Sequence, residues 1–325
     1  MNKNNKIYLL VLLSIIIIIS APFIGMVNLD YNNLFTTNST DNFILFNTRI
    51  PRVLAGFLAG GVLAVSGLVF QAVFKNPLAT PFTLGVAGGA SFGAALFIYI
   101  GVNNAVLFYF GITFASMIGA LLIILLVYLL SIFTKKLYGN TLLLSGVAVS
   151  FFTSALIMFM QYFSNAENSY KITRYMIGTL TNISLENALL LIPFVAVAFI
   201  IIYSYHKELD IISTGSHIAE SRGINVTKTI TILYFTVSLI VATVTAVTGP
   251  IGFVGMMVPH IIRMIISCQN KILIPTAFIS GGAFLVLCDT FARVVVAPVE
   301  LPVAIITSLL GAPFFIFLII KGNKY

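Results

Sequence analysis

The sequence is dominated by apolar runs of about 20 residues that charged side chains hardly interrupt. A run of that length is what a helix needs to cross a bilayer, whereas the strands of a membrane barrel alternate over about 10 residues. Charged residues make up only 8% of the chain, compared with about 25% in a soluble domain. The same scarcity of charge excludes a disordered chain. We therefore expect an all-α integral membrane protein.

About ten candidate spans follow one another in a single transmembrane domain, residues 1–325. They are residues 7–27, 51–70, 82–101, 105–133, 141–162, 187–205, 229–248, 251–267, 272–292 and 301–320. The first resembles a signal peptide, but its apolar run exceeds the usual core of up to about 15 residues and no small-x-small cleavage site follows. We therefore interpret it as a retained helix. The loop 163–186 is long enough to hold one further short helix.

The distribution of positive charge predicts the orientation of the chain. With the N-terminus inside, twelve of the 17 lysines and arginines lie in or beside inner loops. Cytoplasmic loops carry such an excess, so we expect both termini in the cytoplasm of a multi-pass membrane protein. The net charge of +8 is then a property of these loops, and we expect contact with membrane lipid and none with nucleic acid.

Glycines recur within the second and third candidate spans. They are Gly56, Gly60, Gly61 and Gly67 in the second, and Gly85, Gly88, Gly89 and Gly93 in the third. Small residues at such spacing let helix backbones approach closely. We expect tight helix packing here, with a pore-lining role as the alternative.

The acidic residues bear on the energy source of any transport. All nine fall in loops or near the ends of spans. A carrier driven by protons or sodium ions typically needs a carboxylate near the midplane, although backbone carbonyls can also hold sodium. The chain also lacks the phosphate-binding motif G-x-x-x-x-G-K-[ST]. We favour an energy source outside this chain, and a self-contained carrier or channel remains the alternative.

Histidine and cysteine give no pattern of a metal or disulfide site. His260 is one of 3 histidines and has no companions at ligand spacing, so we expect a packed or hydrogen-bonded side chain. The two cysteines, Cys268 and Cys288, lie in or beside apolar segments, which is typical of buried thiols. We expect no metal and no cofactor bound by this chain.

The inner loop 206–228 is the longest cytoplasmic segment in this topology and the most charged part of the chain. Ser216 can cap a short helix over 217–222, and Gly223 can end it in the left-handed conformation. The loop is longer than a simple connection needs. Two interpretations of this loop remain open: a solvated connector, or a docking element for another protein.

Two arginines, Arg49 and Arg52, flank Pro51 at the start of the second span. Proline is common in the first helical turn, but the positive end of the helix dipole disfavours cations there. Their side chains either reach back to lipid headgroups or are held out for an acidic partner. Arg293, at the end of the ninth span, is a third arginine on the same outer side.

Three ordered stretches resemble one family, the FecCD-type permeases of ABC importers for iron-siderophores, haem and cobalamin. The first is "RIPRVLAGFLAGGVLAVSGLVFQAVFKNPLATPFTLGVAGGASFGAAL", with the family's R-x-P-R entry, a glutamine at Gln71, and N-P-L-A at 76–79. The second is "GPIGFVGMMVPHIIR" and the third "CDTFARVVVAPVELPVAIITSLLGAPFFIFLI". The resemblance covers the chain from about residue 45 to its end.

The resemblance implies the fold and partners of the chain. Such permeases have about ten helices in the type II importer fold, and they pair as homodimers or close heterodimers in the bacterial cytoplasmic membrane. The substrate passes at the dimer interface. Two cytoplasmic ABC ATPase subunits bind the ATP and Mg, and an extracytoplasmic binding protein delivers the substrate. The chain itself would be a transport subunit and not an enzyme.

The resemblance also assigns three sets of residues by position. It places docking of the binding protein at Arg49, Arg52 and Arg293. It places coupling to the ATPase on the helix and turn His217, Ile218, Ala219, Glu220, Ser221, Arg222 and Gly223. It places the cytoplasmic gate at Tyr138, Gly139, Asn140 and Thr141.

Overall fold

The computed structural model describes residues 3–27, 29–30, 39–101, 105–133, 140–181, 183–266 and 269–322. Fourteen α-helices occur among these residues, and no strand does. The helices are α1 (Lys3–Ser20), α2 (Thr40–Phe43), α3 (Ile50–Phe74), α4 (Val86–Ile100), α5 (Ala105–Phe133), α6 (Asn140–Phe163), α7 (Ala166–Met176), α8 (Leu185–Ser204), α9 (His206–Thr214), α10 (Ser216–Ser221), α11 (Val226–Thr248), α12 (Val254–Ile265), α13 (Asn270–Val294) and α14 (Val303–Gly322).

The candidate spans predicted from the apolar runs are confirmed. Among the described residues, seven helical segments are long and apolar enough to cross a membrane. Three shorter apolar helices complete the set: Val86–Ile100, Val254–Ile265 and Val303–Leu318. The short helix expected in the loop 163–186 is α7, which is capped by the side chain of Asn165.

The second span lies at the centre of the bundle. In its most apolar window 89% of the residues are buried inside the protein, and α13, α12, α11 and α8 pack around it. Two glycine contacts make this packing possible, since a Cβ on Gly60 would overlap the carbonyl of Gly281 and one on Gly67 would overlap the carbonyl of Gly255. The expectation of close packing at the glycines is confirmed.

The prediction that the second span begins at Pro51 is wrong. A continuous helical segment runs from Thr40 to Phe74, and its residues Ile44–Arg49 have π-helical geometry. The amide of Ile50 donates to the carbonyl of Leu45, so this wider turn carries the helix past the proline, which has no amide hydrogen to donate. Arg49 and Arg52 therefore lie within a helix, and a dipole penalty at its start does not apply to them.

Candidate functional site

A buried cluster of charged residues joins α3 to α13. The Nε atom of Arg52 donates to both carboxylate oxygens of Asp289 at 2.9 Å, and its Nη2 lies 2.8 Å from Asp289 Oδ1. The Nη1 atom of Arg52 donates to Glu300 Oε2 at 2.7 Å. The side chain of Asp289 is only 1% exposed. A charge buried to this degree is stable only when paired and hydrogen-bonded, so these contacts hold the two helices in one register.

The other two predicted arginines belong to the same cluster. Arg293 lies 3.3 Å from Asp289, and its Nη2 donates to the hydroxyl of Thr290 and the carbonyl of Ala21. Arg49 donates to two carbonyls of the segment after α1, those of Pro22 at 3.1 Å and Val27 at 2.6 Å. The cluster therefore also fixes the chain that follows the first helix.

The structure thus brings the three arginines together but turns them inward. Arg49, Arg52 and Arg293 are 6%, 7% and 3% exposed. Glu300 is the cluster member nearest the surface, with 29% of its side chain exposed. Sequence analysis did not assign Asp289 or Glu300 to this site, although the four-residue spacing of Asp289 and Arg293 on one helix is a signal for an ion pair.

An open groove of about 860 Å³ lies against α4, α6, α7 and α14 and is closed on one side by the turn 250–253. Small and hydroxyl-bearing residues line much of it: Gly88, Ser91, Ser150, Ser154, Ser308 and Ala312. Among the residues that the structure describes, none with a charged side chain lines this groove. A large solute can contact such a surface over a wide area without forming an ion pair with it.

The groove wall at α7 is fixed by hydrogen bonds to three other elements. The hydroxyl of Tyr175 donates to the carbonyl of Thr245 in α11 at 3.0 Å and lies 2.6 Å from the hydroxyl of Ser116 in α5. The amide of Ala304 in α14 donates to the carbonyl of Gly178. Burial raises the pKa of Tyr175, which keeps the phenol protonated as a donor.

Two residues with positive φ shape the turn beside the groove. Gly249 has a φ of +69° and Phe253 a φ of +67°. Such a backbone conformation is uncommon for a residue as large as phenylalanine. The ring of Phe253 lies at the groove and packs against Gly311 of α14, where a Cβ would overlap it. The glycine in α14 therefore makes room for this strained residue.

The loop 206–228, which we expect on the inner side, contains two short helices instead of one. The short helix predicted over 217–222 is α10, Ser216–Ser221, and Gly223 follows it with a φ of +80° as expected. The prediction that Ser216 caps it is wrong, because Gly215 occupies the cap position and makes no side-chain bond. The helix α9, which precedes it, was missed.

The exposed face of α10 carries most of the predicted coupling residues. His217, Ile218, Glu220, Ser221, Arg222 and Gly223 are exposed, whereas Ala219 is buried. The ring of His217 lies 3.8 Å from the carboxylate of Glu220 one turn later. The helix therefore presents outward a mostly polar face that also includes the exposed Ile218, and it is anchored by the small buried residue Ala219.

The predicted gate lies outside the described residues. Tyr138 and Gly139 fall in the gap between α5 and α6. Asn140 and Thr141 are the first residues of α6, and their side chains are also outside the description.

The C-terminal part of α3 is joined to α12 by polar contacts of Gln71. Gln71 donates from Nε2 to the carbonyl of Gly255 at 3.1 Å and accepts from Arg263 at 2.6 Å. His260, in the same helix as Arg263, packs edge-on against Phe314 with the ring centroids 6.2 Å apart, which confirms the expectation of a packed histidine. Cys288 is a buried thiol as predicted, and Cys268 lies outside the described residues.

A bundle of apolar helices that packs around one central span and leaves an uncharged groove is the architecture of a polytopic membrane permease. Comparison with known proteins assigns the family. The chain belongs to the FecCD transport family, whose model matches residues 10–321.

Relatives and a solved structure share almost the whole length of the chain. The hemin transport system permease protein HmuU of Yersinia pestis is 33% identical over 98% of this chain and 95% of that protein. The Fe(3+)-citrate import system permease protein YfmE of Bacillus subtilis is 31% identical over 98% of this chain and 96% of that protein. A structure described as an inward-facing metal-chelate type ABC transporter superposes with a TM-score of 0.85 at 28% identity, over 98% of this chain and 100% of that chain. The expected family and type II importer permease fold are confirmed.

Proposed function

We propose that the chain is the transmembrane subunit of an ABC importer that moves an iron-siderophore complex across the cytoplasmic membrane. Haem and cobalamin are the neighbouring substrates to test. Relatives named for hemin and for Fe(3+)-citrate transport support a substrate in which a metal is wrapped by an organic chelator.

The groove against α4, α6, α7 and α14 is the observation that carries the proposal. A volume of about 860 Å³ is in the range of sites that enclose a drug-sized ligand, and this groove is open. Two copies of the chain, or this chain and a related permease, would face each other and close a pathway between two such grooves. Walls of small and hydroxyl-bearing residues suit a bulky solute that must enter and leave.

The energy source in this proposal is a pair of cytoplasmic ATPases that hold the ATP and Mg. The exposed face of α10 is the contact that we propose for them, over His217–Gly223. Closure of the ATPase dimer would move this helix and convert the bundle between outward- and inward-open states. The segment 138–141 remains the proposed gate at the inner end.

Docking of an extracytoplasmic binding protein at Arg49, Arg52 and Arg293 stays a prediction. Arginine is suited to docking an acidic partner, because a guanidinium binds a carboxylate with two parallel hydrogen bonds. A carboxylate of the partner would have to compete with Glu300 for Arg52, since Glu300 holds its Nη1 at 2.7 Å. The surface position of Glu300 makes it the contact that such a partner meets first.

An uptake experiment tests the substrate. The chain is expressed together with its partner ATPase and binding protein, and uptake of a labelled ferric siderophore is measured in competition with unlabelled siderophore, haem and cobalamin. We expect siderophore to compete at the lowest concentration. If none of the three is taken up although the binding protein stimulates ATP hydrolysis, the proposed substrate class is wrong.

A further inference from the structure

The first helix of the inner loop is bound to the start of α13. Asp210, in α9, accepts a hydrogen bond at Oδ1 from the backbone amide of Asn270 at 2.9 Å and another from its side-chain Nδ2 at 2.8 Å. Asn270 is the first residue of α13, and the side chain of Gln269 in the cap position makes no cap bond. Asp210 therefore caps a helix from a segment 60 positions away.

The charge of Asp210 strengthens this contact. The first amides of a helix have no partner within the helix and carry a partial positive charge. The first turn of α13 contains no acidic residue of its own. A carboxylate supplied by another element is then the only anion at this helix start among the described contacts, and a charge-assisted bond of this kind is stronger than a neutral one.

The remainder of α9 is packed into the bundle. Leu209 and Ile212 are 0% and 1% exposed, and α9 contacts both α3 and α13. Only Gly215 separates α9 from α10. A displacement of α10 is therefore passed to a helix that is seated in the core.

A series of aromatic contacts, which passes through α8, connects the first residue of α9 to the middle of α13. His206 stacks on Tyr203 at 5.3 Å between centroids, and Tyr203 stacks on Phe199 at 6.1 Å. Phe199 meets Phe278 of α13 edge-on at 5.3 Å, and Phe278 meets Phe57 of α3 edge-on at 5.6 Å. The outer end of α13 carries Asp289, which binds Arg52 of the same α3. Helix α9 thus contacts α13 and α3 at the inner end, the rings of α8 link His206 of α9 to Phe278 of α13, and α13 and α3 contact each other again at the outer end.

We infer that Asp210 is a positioning residue that ties the coupling segment α9–α10 to α13, so that movement of α10 is carried into α13 and α3. The inference rests on the proposed contact of α10 with an ATPase. The tie itself exists without that partner, and this makes two separate tests possible.

The first test uses the full chain alone in lipid nanodiscs. Hydrogen exchange is measured on peptides that cover the first turn of α13 in the native chain, in D210A and in the control E186Q. Glu186 is also an acidic residue in the first turn of a helix, α8, but it is exposed and, among the residues that the structure describes, joins no second element to that turn. We expect exchange at the α13 start to rise about tenfold in D210A, the effect of losing one charge-assisted hydrogen bond, and to stay unchanged in E186Q. An unchanged rate in D210A would refute the tie.

The second test uses the complete importer and measures substrate molecules taken up per ATP hydrolysed. This ratio does not depend on how much protein folds. We expect D210A to lower it several-fold and E186Q to leave it at the native value. If the native complex takes up substrate with ATP but D210A keeps the native ratio, the inference fails while the proposed function stands. If the native complex shows no ATP-dependent uptake, the proposed function itself fails.

A cross-link decides the matter if D210A does not assemble. Asp210→Cys and Asn270→Cys are introduced together in a chain whose Cys268 and Cys288 are replaced by alanine. The reduced form lacks the carboxylate of Asp210, so its uptake ratio should be low, as in D210A. Because the disulfide replaces the lost hydrogen bonds by a covalent link, oxidation should raise the ratio toward the native value. Loss of uptake on oxidation that reduction restores would overturn the inference.

Discussion

Arg52 and Asp289, which are 237 positions apart in the chain, form a buried ion pair in which Arg52 Nε donates to both carboxylate oxygens at 2.9 Å. This pair joins the first turn of the central helix α3 to the last part of α13. Arg293 also lies against Asp289, and Glu300 forms a second ion pair with Arg52. An arginine that looked like a surface cation in the sequence is therefore part of the interior.

Breaking this pair should destabilise the fold strongly. Asp289→Asn leaves the guanidinium groups of Arg52 and Arg293 buried without their shared counter-charge, and loss of one partner of a buried pair costs about 3 kcal/mol or more. The thermal unfolding temperature of the purified protein in detergent measures the effect. The control is Lys171→Gln, which breaks the exposed pair with Glu167 and should leave the unfolding temperature unchanged. Equal temperatures for native protein and D289N would contradict this description of the cluster.

Close approach of α3 and α12 should make Gly67 intolerant of any side chain. A Cβ at Gly67 would overlap the carbonyl of Gly255, whereas a Cβ at Gly252 has no atom within 4 Å. We expect Gly67→Ala to lose about 2 kcal/mol or more, because the helices must separate, and Gly252→Ala to unfold like the native protein. The two variants are compared by the yield of folded protein and by thermal unfolding. Similar behaviour of both would show that the helices are not in contact at this glycine.

Narrowing the groove should reduce transport without affecting folding. Ala312 lines the groove and its residue surface is exposed, so that Ala312→Phe adds bulk there without disturbing the core. Leu310, two residues earlier in α14, is 49% exposed and does not line the groove. We expect A312F to lower uptake per folded protein several-fold and L310F to leave it near the native rate. Equal uptake by both variants would place the pathway elsewhere.

Glu300 offers a direct test of the proposed docking role. Glu300→Gln removes the negative charge that holds Arg52 Nη1, so a partner carboxylate would meet less competition. Glu300 is partly exposed to solvent, so we take about 1 kcal/mol for its ion pair with Arg52, the upper end of the range for surface pairs. Association of the binding protein should therefore strengthen by about fivefold at low salt. Glu186→Gln changes the net charge equally and serves as the control. If both variants bind the partner like the native chain, Arg52 is not a docking residue.

Hydropathy predicted the spans well because the length of an apolar run is a local property of the sequence. Close packing at Gly60 and Gly67 was also predictable, since small residues repeat along one helix. The partners of Arg52 were not, because Asp289 and Glu300 become its neighbours only when distant helices pack. The helix α9 was missed because its sequence, "HKELDIIST", is polar except for the few residues that it buries. The helical segment that precedes Pro51 was missed because its apolar run, residues 43–46, is short and flanked by polar residues, and a proline commonly marks the start of a helix.

The central proposal is that this chain moves its substrate with energy supplied by a partner ATPase. Asp289 is a buried carboxylate near one end of α13, and its charge is already paired with two arginines of the same chain. The direct measurement is uptake of labelled ferric siderophore into vesicles that contain the chain with its ATPase and receive the loaded binding protein. We expect uptake to require ATP on the side of the membrane where the ATPase is bound. Uptake should be unchanged when the proton and sodium gradients are collapsed. Uptake that follows an ion gradient and ignores ATP would contradict the proposal.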